Sequence, residues 1–230
     1  MHLKLSFAYV LTFLLLLIVM LELHETAHIV VGRFICGCWG PRDFNVWSLC
    51  AGCAESYPLW WLATLAGPLF SFALMWLGMG WLGDAEPDRA ALGFALIFAN
   101  IPFGRISTVM LGGGDEMVVI RHLLKNEYSY TQMILIGSVL VLGLGVPPVI
   151  KAFRVLTNRR SWLYVVGFLT MPLLFLLMYV LTGLNTLLGA DFLATPWIMG
   201  TPLLITLHTS IAFMGLLWLR RNLLPSTYQL

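Results

Sequence analysis

Residues 5–28 read LSFAYVLTFLLLLIVMLELHETAH, a long apolar run that ends in two histidines and a glutamate. No charged residue occurs in residues 5–21, and such a stretch is typical of a membrane-spanning helix. His24 and His28 are four residues apart, so on a helix they project from one face and can share a metal ion. This H-E-x-x-H pattern is typical of zinc hydrolases, in which the glutamate, here Glu25, acts as general base.

The composition of the whole chain indicates a polytopic membrane protein. Its 230 residues are 60% hydrophobic and 10% charged, with a mean hydropathy of +0.88, whereas soluble domains carry about 25% charged residues. The net charge of +2 gives no reason to expect nucleic acid, and the lipid bilayer is the expected surrounding. No small-x-small cleavage site follows the N-terminal run, so we interpret it as the first membrane helix rather than as a signal peptide.

Apolar windows of about 20 residues predict six membrane-spanning helices in an all-α fold. They are residues 4–32, 59–83, 90–112, 131–150, 162–188 and 196–219. We expect helices one to three, within residues 1–126, to form the catalytic core around a zinc site, and residues 127–230 to supply helices four to six. Turn residues predict a small hairpin or re-entrant loop at 34–58, and the amphipathic segment 115–125 is expected at the membrane interface.

All four cysteines of the chain lie in or beside that loop, at Cys36, Cys38, Cys50 and Cys53. Their C-x-C and C-x-x-C spacing leaves three interpretations open. These are a structural zinc site, two disulfides in an oxidising compartment, or four free thiols. The C-x-C half is atypical of zinc ribbons, so the spacing alone does not select a second metal.

A catalytic zinc ion normally has three protein ligands and one open position, so the two histidines need a third partner. We predict Asp115, because the three glycines at 112–114 permit backbone conformations that bring its carboxylate to a fixed point. Glu116 is the alternative metal ligand. The remaining candidates are His122, His208, Asp191 and Glu22.

Two further motifs lie within apolar helices, and proline in such positions disturbs a membrane helix. They are Ala66-Gly67-Pro68 in helix two and Asn100-x-Pro102 in helix three. With the H-E-x-x-H motif before them and Gly114-Asp115 after them, the chain resembles the site-2 protease family of intramembrane zinc metalloproteases over about residues 10–125. That family carries a Gly-Pro element on its second core helix, and an Asn-x-x-Pro and an Asp-Gly on its third.

The chain also departs from the family pattern at two places. The family has an asparagine soon after its Gly-Pro element, where this chain has Phe70 and Ser71. Asp115 lies farther beyond Asn100 than in the family, and Glu116 follows it in place of glycine. Both departures fall on residues that would hold the substrate or the metal.

The resemblance implies a zinc metalloendopeptidase that hydrolyses a peptide bond of a membrane-embedded or membrane-proximal protein. Zn²⁺, held by the two histidines and Asp115, is the implied cofactor, and Glu25 is the catalytic residue. Asn100 and Arg105 are polar groups within an apolar segment, and we expect them to position the substrate. The competing functions are a catalytically inactive scaffold of the same fold, which would not need Glu25, and a metal-ion transporter, which would show internal repeats.

Basic residues give a conflicting indication of membrane orientation. Six plain crossings place eight Lys and Arg residues on the side of the termini and four on the side of the H-E-x-x-H motif. The positive-inside rule then puts the motif near the outer face, whereas the resemblance implies a site nearer the cytoplasm. The positive-inside rule and the resemblance would agree if helix four, with Pro147-Pro148 inside it, did not cross the membrane.

Overall fold

The computed structural model describes residues 1–224, and this part of the chain is helical without a β-strand. Its helices are α1 (Phe7–Cys36), α2 (Cys53–Ser56), α3 (Trp61–Trp81), α4 (Pro87–Ala99), α5 (Pro102–Met110), α6 (Gly114–Leu124), α7 (Tyr130–Val155), α8 (Ser161–Phe175), α9 (Asn185–Gly189) and α10 (Leu203–Leu219). A π-helical stretch, Leu176–Leu184, joins α8 to α9, and 3₁₀ turns lie at Ile198–Gly200 and Arg220–Leu223.

Six helical segments of the described chain are long and apolar enough to cross a membrane. They are Phe7–Cys36, Trp61–Trp81, Pro87–Met110, Tyr130–Val155, Ser161–Gly189 and Leu203–Leu223. The prediction of an all-α, multi-pass membrane protein is therefore confirmed. The first span begins and ends a few residues later than predicted. It ends at Cys36, because Gly37 has a φ of +73°, the left-handed conformation that glycine adopts easily.

The third span is interrupted where the sequence predicted a break. α4 ends at Ala99 and α5 begins at Pro102. Between them Ile101 has φ +50° and ψ +58°, a left-handed conformation that is rare for a β-branched residue. The residue before a proline is disfavoured in the α-helical region, so the helix cannot pass smoothly through this point. In contrast, α3 continues through Pro68 without ending.

Predicted helix four, now α7, runs unbroken through Pro147-Pro148. At its beginning the Tyr130 hydroxyl donates a hydrogen bond to the carbonyl of Gly112 (3.2 Å). At its end the carbonyl of Val155 accepts one from the amino group of Met1 (2.6 Å). The helix therefore reaches from the glycine turn, residues 112–114, to the N-terminal end of the bundle. The two prolines do not break it, so the reason for supposing that it does not cross is absent.

Residues 37–58, which we call the cysteine loop, are closed by two disulfides. Cys36 pairs with Cys53 and Cys38 with Cys50, with Cα atoms 5.4 and 6.2 Å apart. Of the three interpretations that the spacing left open, the structure contains the disulfide pairing. No free cysteine remains in the chain.

The cysteine loop also contains the hairpin that the sequence predicted, reduced to a single antiparallel bridge between Arg42 and Trp47. The Arg42 side chain is fully buried, and its two terminal nitrogens donate to the two carboxylate oxygens of Glu22 (2.7 and 3.0 Å). This bidentate ion pair fixes the loop against α1. Removing one partner of such a buried ion pair typically lowers the free energy of unfolding by about 3–5 kcal/mol.

An aromatic cluster ties the C-terminal helices to the first half of the chain. The ring of Phe168 in α8 packs edge-on against Phe13 of α1 (4.9 Å between centroids) and against Phe94 of α4 (5.1 Å). Each such pair is worth about 0.5–1.5 kcal/mol beyond the area that it buries. This packing holds α1 and α4 in place, and the candidate site lies farther along the same two spans.

Candidate metal centre

Three side chains from two distant parts of the chain meet in one cluster. His24 and His28 come from α1, and Asp115 comes from the first turn of α6. The two histidine Nε2 atoms are 3.1 Å apart, and Asp115 Oδ2 lies 3.3 Å from His24 Nε2 and 3.4 Å from His28 Nε2. Ligand atoms bound to one tetrahedral zinc ion at its usual bond lengths are about 3.3–3.4 Å apart. The triangle therefore has the size that a zinc ion requires.

Hydrogen bonds at the far side of each imidazole ring turn Nε2 toward the cluster. His28 Nδ1 donates to the carbonyl of Ala63 (2.7 Å), and His24 Nδ1 lies 3.1 Å from Ser71 Oγ and 2.6 Å from Arg105 Nη2, which can only donate. His28 Nε2 therefore presents a lone pair to the cluster. His24 Nδ1 accepts from Arg105, so His24 Nε2 carries the ring hydrogen and donates it to Asp115 Oδ2 (3.3 Å). Such partners orient ligating histidines in metal sites, and a cation at the centre of the triangle would replace the His24 Nε2 hydrogen.

Gly67 of α3 lies directly against both histidine rings. A Cβ atom at this position would be 2.3 Å from His28 Nε2 and 2.6 Å from His24 Cε1, which no side chain can occupy. Glycine is therefore required for α3 to approach α1 closely enough to support the cluster. Ser71 follows one helical turn later, on the same face of α3, and so reaches His24.

The glycine turn delivers Asp115 as the sequence predicted. Gly112 and Gly114 have φ values of +80° and +83°, which favour glycine, and α6 begins at Gly114. The Asp115 side chain is 38% exposed while the histidines are buried, so the cluster opens to its surroundings at this residue. Burial alone would raise the pKa of Asp115, but its contacts with the two histidines outweigh burial and hold that pKa below the ordinary value.

Glu25 is buried beside the histidines, with 6% of its surface exposed. Its Oε2 atom is buried and has no hydrogen-bond partner among the described residues. Unpaired buried acceptors are rare in proteins, and a catalytic role is one of the few reasons for them. A general base needs such a free oxygen to accept a proton. The residues present therefore fit a catalytic zinc ion, with three ligands and a base.

Arg105 reaches the cluster from α5, but its guanidinium is engaged by protein groups. Nη1 donates to Glu116 Oε1 (3.1 Å), and Nη2 donates to Ser71 Oγ (3.1 Å) and lies 2.6 Å from His24 Nδ1. Glu116, the alternative metal ligand, is thus an ion-pair partner of Arg105 and lies outside the cluster. The arginine places a fixed positive charge next to His24.

Asn100 is the predicted site residue that the structure does not bring to the cluster. It is buried at the break between α4 and α5, where its Nδ2 donates to the carbonyl of Leu96 (2.8 Å). The other candidate ligands also lie elsewhere among the described residues. Glu22 pairs with Arg42, His208 lies 3.0 Å from the Tyr179 hydroxyl, His122 packs on Trp60, and Asp191 follows α9.

Trp47 of the cysteine loop covers the histidine side of the cluster. Its ring stacks in parallel on the ring of His28, with 5.5 Å between centroids, and rests on Gly32 of α1. Sequence reasoning missed Trp47 and Ser71. The position of Ser71 four residues after Gly67 was a usable signal, whereas nothing in the spacing of Trp47 related it to His28.

No protein-family model matches the chain, and neither a curated protein nor a solved structure shows significant similarity to it. The resemblance to the site-2 proteases therefore remains a prediction from motifs. Function is therefore inferred from the cluster and from the helices that hold it.

Proposed function

We propose that the protein is an intramembrane zinc metalloprotease, with His24, His28 and Asp115 as metal ligands and Glu25 as general base. The observation that carries the proposal is the triangle of ligand atoms with edges of 3.1, 3.3 and 3.4 Å. Two of its three corners, His24 and His28, belong to a helix that is long and apolar enough to span a membrane. The motif resemblance to the site-2 proteases supports the same function.

A zinc ion in this site would polarise a peptide carbonyl and activate a water molecule for attack on it. Glu25 Oε2 accepts the proton of that water and passes it to the nitrogen of the leaving amine. Ser71 and the carbonyl of Ala63 contact the Nδ1 atoms of the two imidazole rings and keep both Nε2 atoms directed at the cluster. The charge of Arg105, fixed by Glu116, favours the negative charge that develops during attack.

The proposed substrate is a membrane-embedded or membrane-proximal protein. A peptide bond inside a helix is shielded by its own hydrogen bonds, so the substrate must be extended where it is cut. The Arg42–Trp47 hairpin lies beside the cluster, where Trp47 stacks on His28, and we propose that such a segment pairs with its edge. Recognition of this kind depends on backbone pairing more than on sequence.

The proposal is tested by comparing wild-type protein with Glu25→Gln in cells whose membrane proteins are then examined for new termini by mass spectrometry. Glu127→Gln, an exposed glutamate in the turn before α7, is the control. We expect new termini in or near membrane spans with the wild type and the control, and none with Glu25→Gln, while all three proteins bind zinc. Equal cleavage by Glu25→Gln, or zinc binding by the wild type without any cleavage, would overturn the proposal.

A further inference from the structure

The helical bundle has two ends, which side-chain contacts identify. At one end, which we call the terminal face, Asn158 exchanges two hydrogen bonds with Leu3 (2.9 Å each). A cavity of about 810 Å³ at this end is lined by the N-terminal residues, by Asp84 in the α3–α4 turn and by Asn222 after α10. The N-terminal residues, residues 222–224 after α10, the α3–α4 turn and the α7–α8 connection therefore share one end.

The opposite end, which we call the disulfide face, holds the cysteine loop. Asn185 at the start of α9 donates to Asn45 of this loop (2.6 Å), and its side-chain oxygen accepts from the Phe44 backbone (3.2 Å). His122 of α6 packs on Trp60, which directly follows the loop and precedes α3. The α6–α7 turn and the α9–α10 connection thus lie at this end too.

The candidate metal centre is nearer to the disulfide face. His28 precedes Cys36 by eight residues on α1, or about 12 Å along the helix, whereas it follows Phe7 by about 32 Å. Trp47, which stacks on His28, belongs to the loop that the disulfides close. Asp115, the exposed member of the centre, also lies in this half. It directly follows the glycine turn, which contacts Tyr130 at the start of α7.

Charge separates the two faces. The terminal face carries eight of the 13 Lys and Arg residues, which are Lys4, Arg89, Lys151, Arg154, Arg159, Arg160, Arg220 and Arg221. The disulfide face carries Arg33, Arg42, Arg121 and Lys125, and Arg42 is neutralised by its buried pair with Glu22. Because α7 is continuous from one end of the bundle to the other, this count applies to the folded chain, and the positive-inside rule makes the terminal face cytosolic.

The disulfides give an independent indication of the same orientation. Glutathione and thioredoxin keep thiols reduced in the cytosol, and structural disulfides persist on the oxidising side of a membrane. Two of them closing one loop of this chain place the disulfide face in an oxidising compartment, such as the periplasm, the endoplasmic reticulum lumen or the exterior.

We infer that the candidate metal centre faces the oxidising, non-cytosolic side of its membrane. If the proposed proteolysis is its function, the substrates are membrane proteins that present the scissile segment at the non-cytosolic end of a span. This orientation is opposite to the one that the site-2 protease resemblance implies. It also means that zinc and substrate segments reach the centre from outside the cytosol.

The orientation is tested by two single substitutions in the full-length protein, Ala85→Cys in the α3–α4 turn and Asn126→Cys in the α6–α7 turn. Both positions are exposed, and neither contacts the candidate centre. The four native cysteines are paired, so each new thiol is the only one available. A membrane-impermeant maleimide is applied to sealed cells or right-side-out vesicles and, separately, to inside-out vesicles.

We expect Asn126→Cys to be labelled from outside and Ala85→Cys only in inside-out vesicles. Wild-type protein should be labelled from outside only after treatment with an impermeant phosphine reductant. Labelling of Ala85→Cys but not Asn126→Cys from outside would overturn the inference, as would labelling of unreduced wild-type protein. The experiment needs no protease activity, so its failure is distinct from a failure of the proposed function. The new termini found in the Glu25→Gln comparison then report the side of cleavage.

Discussion

Replacement of Gly67 by alanine is expected to disable the metal centre while leaving the helices intact. The new Cβ atom would lie 2.3 Å from His28 Nε2, whereas ordinary contacts of a Cβ atom begin at 3.4 Å. The ring must therefore move by about 1 Å, since α3 and α1 are held by their packing. Zinc sites tolerate deviations of only about 0.2 Å in ligand distance.

The size of the effect follows from that displacement. Loss of a group that merely orients a ligand weakens zinc binding by about 10- to 100-fold, and displacing the ligand itself should cost at least as much. This corresponds to about 1.4–2.7 kcal/mol of binding free energy. The assay is a competition titration of purified protein against a chromophoric zinc chelator, with circular dichroism and gel filtration to check folding.

Gly80→Ala is the matched control for this experiment. Gly80 lies on the same helix, and a Cβ atom there meets nothing within 4 Å. We expect the control to bind zinc as the wild type does. Wild-type affinity in a folded Gly67→Ala protein, or an equal loss in Gly80→Ala, would refute the reasoning that Gly67 supports the histidine rings.

Three further predictions concern Ser71, the Arg42–Glu22 ion pair and the two disulfides. Ser71→Ala should weaken zinc binding by about tenfold, measured by the same titration, and Ser71→Thr should restore part of it because the hydroxyl returns. Arg42→Met should lower the free energy of unfolding by about 3 kcal/mol, since it leaves Glu22 unpaired, and adding Glu22→Gln should recover much of that loss in thermal melts. Reduction of both disulfides should lower the melting temperature, by an amount that corresponds to about 2–4 kcal/mol of stability for each. An unchanged melting curve would show that the disulfides contribute no stability.

The sequence was sufficient for the spans and for the three side chains that meet in the cluster. Membrane helices follow from apolar length, because a bilayer requires about 20 apolar residues in a row. The break at Asn100-x-Pro102 follows from the missing proline N–H and the restriction on Ile101. The histidine spacing and the glycines before Asp115 are local signals as well, and the structure brings these three side chains together.

The groups that support the cluster depend on tertiary packing and could not be predicted in the same way. In the sequence, Gly67 resembled part of a helix-breaking element, but α3 is continuous. The missing side chain at Gly67 instead allows α3 to lie directly against the two histidine rings. The stacking of Trp47 on His28 depends on how the disulfides fold the loop back. Pro147-Pro148 was misleading because a membrane helix can continue through proline where neighbouring groups satisfy the freed backbone carbonyls.

The choice between Asp115 and Glu116 as third ligand is the most direct test of the central claim, since adjacent carboxylates are predicted to have opposite roles. Zinc content is measured by mass spectrometry after chelator washing of purified wild-type, Asp115→Asn and Glu116→Gln proteins. We expect one zinc ion per chain in the wild type and in Glu116→Gln, and strong depletion in Asp115→Asn. A wild-type protein without bound zinc, or full zinc content in Asp115→Asn, would contradict the account.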